Sequence, residues 1–134
     1  MLGLFKSQKK VEQPKILVVD DEQDLISTVE YRLKFSNCQV VTAVNGQEGL
    51  EKAAAEQPDL ILLDTSMPVM DGHEMLKELR AKPETAGIPV IMLTAQYGTQ
   101  DIAAASAYGI ADYITKPFDF NELIEKVERA LNDA

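Results

Sequence analysis

Short apolar runs alternate along the chain with longer segments in which apolar residues recur every three or four positions. A run without polar interruptions, such as the one that begins at Ile16, is typical of a strand buried on both faces. The longer segments predict helices with one apolar face, as Ile26, Val29 and Leu33 show. The predicted strands are residues 15–20, 38–44, 59–64, 88–94 and 112–115. Strict alternation of strands and helices predicts an α/β domain with a parallel sheet and helices on both faces.

Polar residues stand at or just beyond the carboxyl ends of four of these strands, namely Asp20, Asp64, Thr94 and Lys116. Each one alone has an ordinary structural explanation. The acids from Asp20 to Glu22 are suited to the start of a helix, and a single lysine is usually a solvated surface residue. Because open parallel sheets bind their ligands beyond the carboxyl ends of the strands, the four groups together indicate a shared site.

The chemistry of these groups favours a metal and a phosphoryl group. Clustered carboxylates repel one another unless they are protonated or bridged by a cation, and oxygen ligands of this kind suit Mg²⁺. The Thr94 hydroxyl and the Lys116 ammonium are groups that hold phosphoryl oxygens. A carboxylate among them can act as a nucleophile and form an aspartyl-phosphate. Asp64 is the candidate, because it stands alone between the acid pair and the Thr94 and Lys116 side.

Other phosphate-binding proteins fit the sequence poorly. The chain contains no GxxxxGK[ST] motif, which disfavours a P-loop nucleotidase. Its first strand is followed by Asp-Asp-Glu-Gln-Asp in place of the GxGxxG turn of dinucleotide-binding domains. A haloacid-dehalogenase-type phosphatase is expected to carry a DxD motif, and Ser66 stands where the second acid is required.

Composition limits the classes of partner. The net charge of −9 argues against nucleic-acid binding, which needs clustered Lys and Arg. Cys38, the only cysteine, excludes an intrachain disulfide. No run approaches the roughly 20 apolar residues of a membrane span, and in the N-terminal MLGLFKSQKK the lysines follow the apolar residues, the wrong order for a signal peptide. These features predict a cytoplasmic protein, with a flexible tail over residues 1–13, one domain over residues 14–132 and no effector domain after it.

Four stretches in order, ILVVDDE, PDLILLDTSMPVMDG, IPVIMLTA and ADYITKPF, resemble the receiver domain of two-component response regulators. The resemblance covers residues 14–132. It implies a flavodoxin-like (βα)5 sandwich whose five parallel strands lie in the order 2-1-3-4-5.

The resemblance also implies roles at the acidic site. Asp64 is expected to accept a phosphoryl group from the phosphohistidine of a sensor histidine kinase or phosphotransfer protein. Mg²⁺, for which Mn²⁺ can substitute, is expected to bind Asp21 directly, Asp20 mainly through water, Asp64, and the backbone carbonyl of Ser66. The protein would then catalyse only its own phosphorylation and dephosphorylation.

On the other side of the site, Thr94 is expected to be the switch hydroxyl, Lys116 the phosphoryl-binding cation and Tyr113 the switch aromatic. A cis peptide bond is expected between Lys116 and Pro117. A downstream protein would bind the face formed by the fourth helix, at about residues 98–108, with the last strand and last helix. The alternative function is a receiver-like interaction module that works without phosphorylation, and a true phosphatase would need to turn over a small phosphate ester.

Overall fold

The computed structural model describes residues 13–95 and 99–133, with side chains omitted at 99–102. The strands are β1 (Lys15–Val19), β2 (Gln39–Ala43), β3 (Leu60–Asp64), β4 (Val90–Thr94) and β5 (Asp112–Thr115). The helices are α1 (Gln23–Phe35), α2 (Gly46–Glu56), α3 (Gly72–Ala81), α4 (Thr99–Ser106) and α5 (Phe120–Asp133). The predicted tail lies outside the described residues except for Gln13. Within the described parts, no helix has both the length and the apolar character that a membrane crossing requires.

The sheet is parallel throughout, and its strands lie in the order β2-β1-β3-β4-β5. This confirms both the predicted fold class and the order that the resemblance implied. The three central strands are almost completely buried, which explains their uninterrupted apolar sequences. The edge strand β2 is only partly covered.

Helices cover both faces of the sheet. On one face, α1 and α5 pack against alternate strand residues such as Ile16 and Leu62, with Val29 and Leu123 at the centre of the contact. On the other face, α2, α3 and α4 cover the intervening residues, such as Leu63. The strand residues alternate between these two cores because successive side chains of a strand point to opposite faces. Both faces of the sheet are therefore covered by helices in the described part of the chain.

Two buried apolar residues that the sequence placed in strands, Cys38 and Ile88, lie in loops. The Cys38 N–H donates to the Leu33 carbonyl at 3.1 Å, so Cys38 belongs to the turn that follows α1. The Ile88 N–H donates to the Thr85 carbonyl at 3.2 Å, and β4 begins only at Val90. Both side chains are buried. The apolar pattern predicted their burial, but the hydrogen bonds decide that they are not strand residues.

Arg80, near the end of α3, forms hydrogen bonds with two loops. Its guanidinium donates to the carbonyls of Ala86 and Ile88 at 3.1 and 2.9 Å, in the loop before β4. It also donates to the carbonyls of Tyr108 and Gly109, both at 2.9 Å, in the loop between α4 and β5. Burial lowers the pKa of Arg80. These bonds fix the C-terminal end of α4 against the body of the domain.

Candidate functional site at the carboxyl edge of the sheet

The sheet itself positions the predicted site residues. Asp64 and Thr94 are the last residues of the central strands β3 and β4. Asp20 follows β1, and its N–H continues the ladder by donating to the Ala43 carbonyl at 3.1 Å. Lys116 follows β5, and its N–H donates to the Thr94 carbonyl at 2.7 Å. The structure therefore brings all four strand-end groups to one edge, as the sequence predicted.

The Lys116 ammonium lies at the centre of an acidic cluster. Its Nζ atom is 2.8 Å from Asp20 Oδ2 and 3.3 Å from Asp64 Oδ1. A third carboxylate, that of Glu22, places Oε1 3.0 Å from the same nitrogen. The Lys116–Pro117 peptide bond is cis, as the resemblance implied. One cation thus balances three carboxylates, two from the segment that follows β1 and one from the end of β3.

Asp20, Asp21 and Asp64 form a group that can hold a metal ion. One carboxylate oxygen from each lies within 4.8 Å of the others. Asp20 and Asp64 are buried, whereas Asp21 is exposed and leaves room for water ligands. The Ser66 N–H donates to Asp64 Oδ1 at 3.4 Å, so the backbone after β3 also borders this cluster. A mostly carboxylate site that is open to water on one side fits Mg²⁺.

The electrostatics of the cluster are unusual. Burial, with the charge of Asp20, raises the pKa of Asp64 from 3.8 to about 6, although Lys116 and the Ser66 N–H oppose the rise. Burial alone would lower the pKa of Lys116, but its hydrogen bonds to Asp20 and Glu22 and the nearby carboxylate charges outweigh that effect and raise it. The Asp64 carboxylate is therefore mostly ionised near neutral pH, although its charge destabilises the folded protein. Lys116 is protonated at neutral pH.

The two predicted switch residues occupy different environments. Thr94 is completely buried, and within residues 13–95 and 99–133 no group hydrogen-bonds to its Oγ1. Tyr113 on β5 is 40% exposed. Lys126 of α5 places its Nζ 5.3 Å from the centre of the Tyr113 ring and donates to the Tyr113 carbonyl at 2.6 Å. Thr94 thus lies inside the fold at the carboxyl end of β4, whereas Tyr113 lies on the outer face next to α5.

A cleft with a volume of about 690 Å³ opens above Asp64. One side of it is acidic, with Asp21 and Glu22. Another part of its lining is apolar and includes Phe118 and Phe120, whose rings meet edge to face with their centres 5.4 Å apart. The sequence reasoning missed this apolar wall. In the sequence, this wall is indicated only by Phe118 and Phe120, which follow Lys116-Pro117.

We expect Asp64→Asn to raise the free energy of unfolding by about 2–3 kcal/mol near neutral pH in metal-free buffer, and this gain to disappear by about pH 4. The pKa of Asp64 is about 6 in the folded protein, compared with 3.8 for an aspartate in the unfolded chain. The folded state therefore binds the proton more tightly than the unfolded state does. Ionised Asp64 therefore destabilises the folded state above pH 6. Below the lower value both states are protonated and the penalty vanishes.

This pH dependence can be measured by urea unfolding, followed by circular dichroism, of wild type and Asp64→Asn across that pH range. Glu51→Gln, which removes an exposed carboxylate on α2, is the control and should follow the wild type. Parallel stability curves for wild type and Asp64→Asn would show that Asp64 is not a destabilising charge.

A family model of the response regulator receiver domain matches residues 16–128. The chain therefore belongs to the receiver domain family of two-component response regulators. PrrA, a transcriptional regulatory protein of Mycobacterium tuberculosis, is 40% identical over 121 residues, which are 90% of this chain and 51% of that protein. PhoP of Bacillus subtilis, the alkaline phosphatase synthesis transcriptional regulatory protein, is 42% identical over 117 residues, 87% of this chain and 48% of that protein. The chain spans about half the length of the curated relatives it matches.

Solved structures give the same result. The chemotaxis response regulator CheY4 of Vibrio cholerae is similar with a TM-score of 0.83 and 31% identity, over 88% of this chain and 98% of that chain. The receiver domain of the Francisella response regulator 1452 is similar with a TM-score of 0.83 and 31% identity, over 90% of this chain and 98% of that chain.

Proposed function

We propose that this receiver domain is a cytoplasmic signalling switch that accepts a phosphoryl group on Asp64. The donor is the phosphohistidine of a sensor histidine kinase or of a phosphotransfer protein, and the reaction depends on Mg²⁺. The observation that carries the proposal is the position of Lys116, whose ammonium lies 3.3 Å from Asp64 Oδ1 at the floor of an open cleft. A cation at that distance is where the oxygens of a phosphoryl group on Asp64 would need one.

The step needs a nucleophile and donors for the transferred oxygens. Asp64 has a pKa of about 6, so its carboxylate is ionised at neutral pH and can attack phosphorus. A bond forms between a carboxylate oxygen of Asp64 and phosphorus while the phosphorus–nitrogen bond of the donor histidine breaks. The electron pair stays on the imidazole nitrogen, which takes up a proton. Lys116 and the buried Thr94 hydroxyl stabilise the negative charge on the transferred oxygens.

The same acids would hold the metal. Asp21 is exposed and suited to direct ligation, while Asp20, which is already bonded to Lys116, would act mainly through water. Asp64 and the backbone carbonyl of Ser66 would complete the protein ligands of Mg²⁺ or Mn²⁺. When bound, the ion neutralises negative charge on the phosphoryl oxygens.

The signal would then pass from Asp64 to the outer face. The Thr94 Oγ1 atom is buried without a partner in the described parts of the chain, so an aspartyl-phosphate offers it an acceptor. Thr94 pairs with Thr115 on the neighbouring strand β5, which also carries Tyr113. Movement of Thr94 toward the phosphoryl group would let Tyr113 turn inward. The face of α4, β5 and α5 would thereby change and bind a downstream protein, without direct contact of this domain with nucleic acid.

Incubation with acetyl phosphate and Mg²⁺ should add one phosphoryl group, a mass gain of about 80 Da by intact mass spectrometry. The adduct should be absent when the metal is chelated and absent in Asp64→Asn. The matched control Asp24→Asn removes an exposed carboxylate at the start of α1 and should be phosphorylated like wild type.

The same samples provide a second readout of the switch. The backbone amide signals of residues 103–118 should shift in phosphorylated wild type and stay unchanged in Asp64→Asn. If folded wild type gains no mass with acetyl phosphate or with a phosphohistidine donor, the proposal is wrong and the phosphorylation-independent interaction module is favoured.

A further inference from the structure

We infer that Glu22 is an exchangeable counter-ion of Lys116. Its carboxylate holds the ammonium over the cleft before phosphorylation and gives up that place to a phosphoryl oxygen afterwards. Glu22 is thus a positioning residue that sets how readily Lys116 engages a phosphoryl group, and this inference rests on the proposed phosphoryl acceptance at Asp64.

The first observation concerns the partners of Lys116. An ammonium group has three protons to donate. In the structure Nζ donates hydrogen bonds to Asp20 Oδ2 at 2.8 Å and to Glu22 Oε1 at 3.0 Å, and it forms an ion pair with Asp64 Oδ1 at 3.3 Å. A phosphoryl group on Asp64 takes the direction that the Asp64 carboxylate held, so a second phosphoryl oxygen can bind Lys116 only if Asp20 or Glu22 gives way.

Burial identifies the carboxylate that gives way. The side chain of Asp20 is 0% exposed and that of Asp64 is 7% exposed, whereas that of Glu22 is 63% exposed. A buried carboxylate that loses its cation pays a large desolvation penalty, but an exposed one is resolvated by water at little cost. Of the three partners, Glu22 is the one that Lys116 can release cheaply.

The simplest structural role for Glu22 does not explain its conformation. Glu22 is the N-cap residue of α1, where an acid can bond the first free N–H groups of the helix, yet its side chain makes no capping hydrogen bond. It extends across the cleft to Lys116 instead, 94 residues away in sequence. Its own N–H donates to Asp20 Oδ1 at 2.9 Å, which fixes the base of the side chain beside the site.

The test compares the affinity for beryllofluoride, a phosphoryl mimic, among Glu22 variants in saturating Mg²⁺, measured by amide NMR titration. Glu22→Gln removes the competing charge, and Glu22→Asp keeps the charge but shortens the reach to Lys116. Both should bind beryllofluoride about three times more tightly than wild type, since the free energy of an exposed ion pair no longer opposes binding. Glu51→Gln, an equal change of charge on α2, should match wild type.

A parallel Mg²⁺ titration distinguishes the positioning of Lys116 by Glu22 from an effect of the net charge of the site. Glu22→Gln should weaken Mg²⁺ binding slightly, whereas Glu22→Asp, whose charge is kept, should not. If Glu22→Gln alone binds the mimic more tightly, the effect is one of net charge and the exchange is refuted. Wild-type affinity in both variants refutes it as well while leaving the role of Asp64 intact. No binding to wild type would instead overturn the phosphoacceptor proposal and this inference with it.

Discussion

Gly72→Ala is expected to lower the free energy of unfolding by about 3 kcal/mol and to remove most phosphoryl acceptance by Asp64. A Cβ atom at residue 72 would collide with the Asp64 carbonyl oxygen and lie 2.9 Å from both the Asp64 carbonyl carbon and the Thr65 Cα. All three neighbours are backbone atoms of the segment that carries Asp64, the proposed phosphoacceptor. The clash can therefore be relieved only by moving Asp64 or the start of α3, which the hydrogen bond from the Gly72 N–H to the Thr65 carbonyl holds at 3.1 Å.

Gly87→Ala is the matched control for this prediction. A Cβ atom there has no atom within 4 Å among its described surroundings, so the same substitution should change stability by no more than about 0.5 kcal/mol. Urea unfolding and the acetyl phosphate mass assay on both variants make the comparison. Equal stability and equal phosphorylation of the two variants would mean that the close approach of Gly72 to Asp64 matters neither for folding stability nor for phosphorylation.

Lys116→Met is expected to destabilise metal-free protein by about 2–4 kcal/mol near neutral pH, with a large part of the loss restored by Mg²⁺. The substitution keeps most of the side-chain volume but removes the only cation that the described residues place within 4.0 Å of Asp20 and Asp64. Asp20 is fully buried and would lose its cation partner, keeping only the hydrogen bond from the Glu22 N–H among the side-chain contacts that the described residues give it. A divalent cation bound to the same carboxylates replaces that balance, and a lower pH also reduces the penalty by protonating Asp64, whose pKa is already raised to about 6.

Urea unfolding with and without Mg²⁺, at neutral and mildly acidic pH, measures this effect. Lys77→Met, at an exposed position of α3, is the control and should change stability little under every condition. A loss in Lys116→Met that neither Mg²⁺ nor acid reduces would point to lost packing, and the electrostatic account of the site would then be wrong.

The sequence was sufficient to place the strands and their functional ends, for a physical reason. β3 and β4 are buried on both faces, so their apolar runs are uninterrupted, and a polar residue such as Asp64 or Thr94 marks the point where each strand leaves the core. The order of the strands could not be predicted from the apolar pattern. Three central strands of similar apolar character carry no local signal of their neighbours, so the order 2-1-3-4-5 came from the resemblance to the family.

Other features depended on distant contacts and could not be predicted. Glu22 reads as part of an acidic helix start, and only the folded structure shows that it bonds Lys116. Arg80 has the pattern of an ordinary helix-end arginine, yet its partners are backbone carbonyls, which have no sequence signature. Cys38 and Ile88 are buried in loops, and an apolar residue looks the same in a buried loop as in a strand.

The bond between Lys116 and Asp20 joins residues that are 96 positions apart. During synthesis on a ribosome, a nascent chain exposes Asp20 and Asp64 well before the lysine has been translated. Until Lys116 is added, the described part of the chain holds no ammonium within 4.0 Å of Asp20 or Asp64. In the proposed mechanism, the ability to accept a phosphoryl group thus arises only once the last strand and the residues after it are in place. Incomplete chains, although they already carry Asp64, should therefore not accept phosphoryl groups.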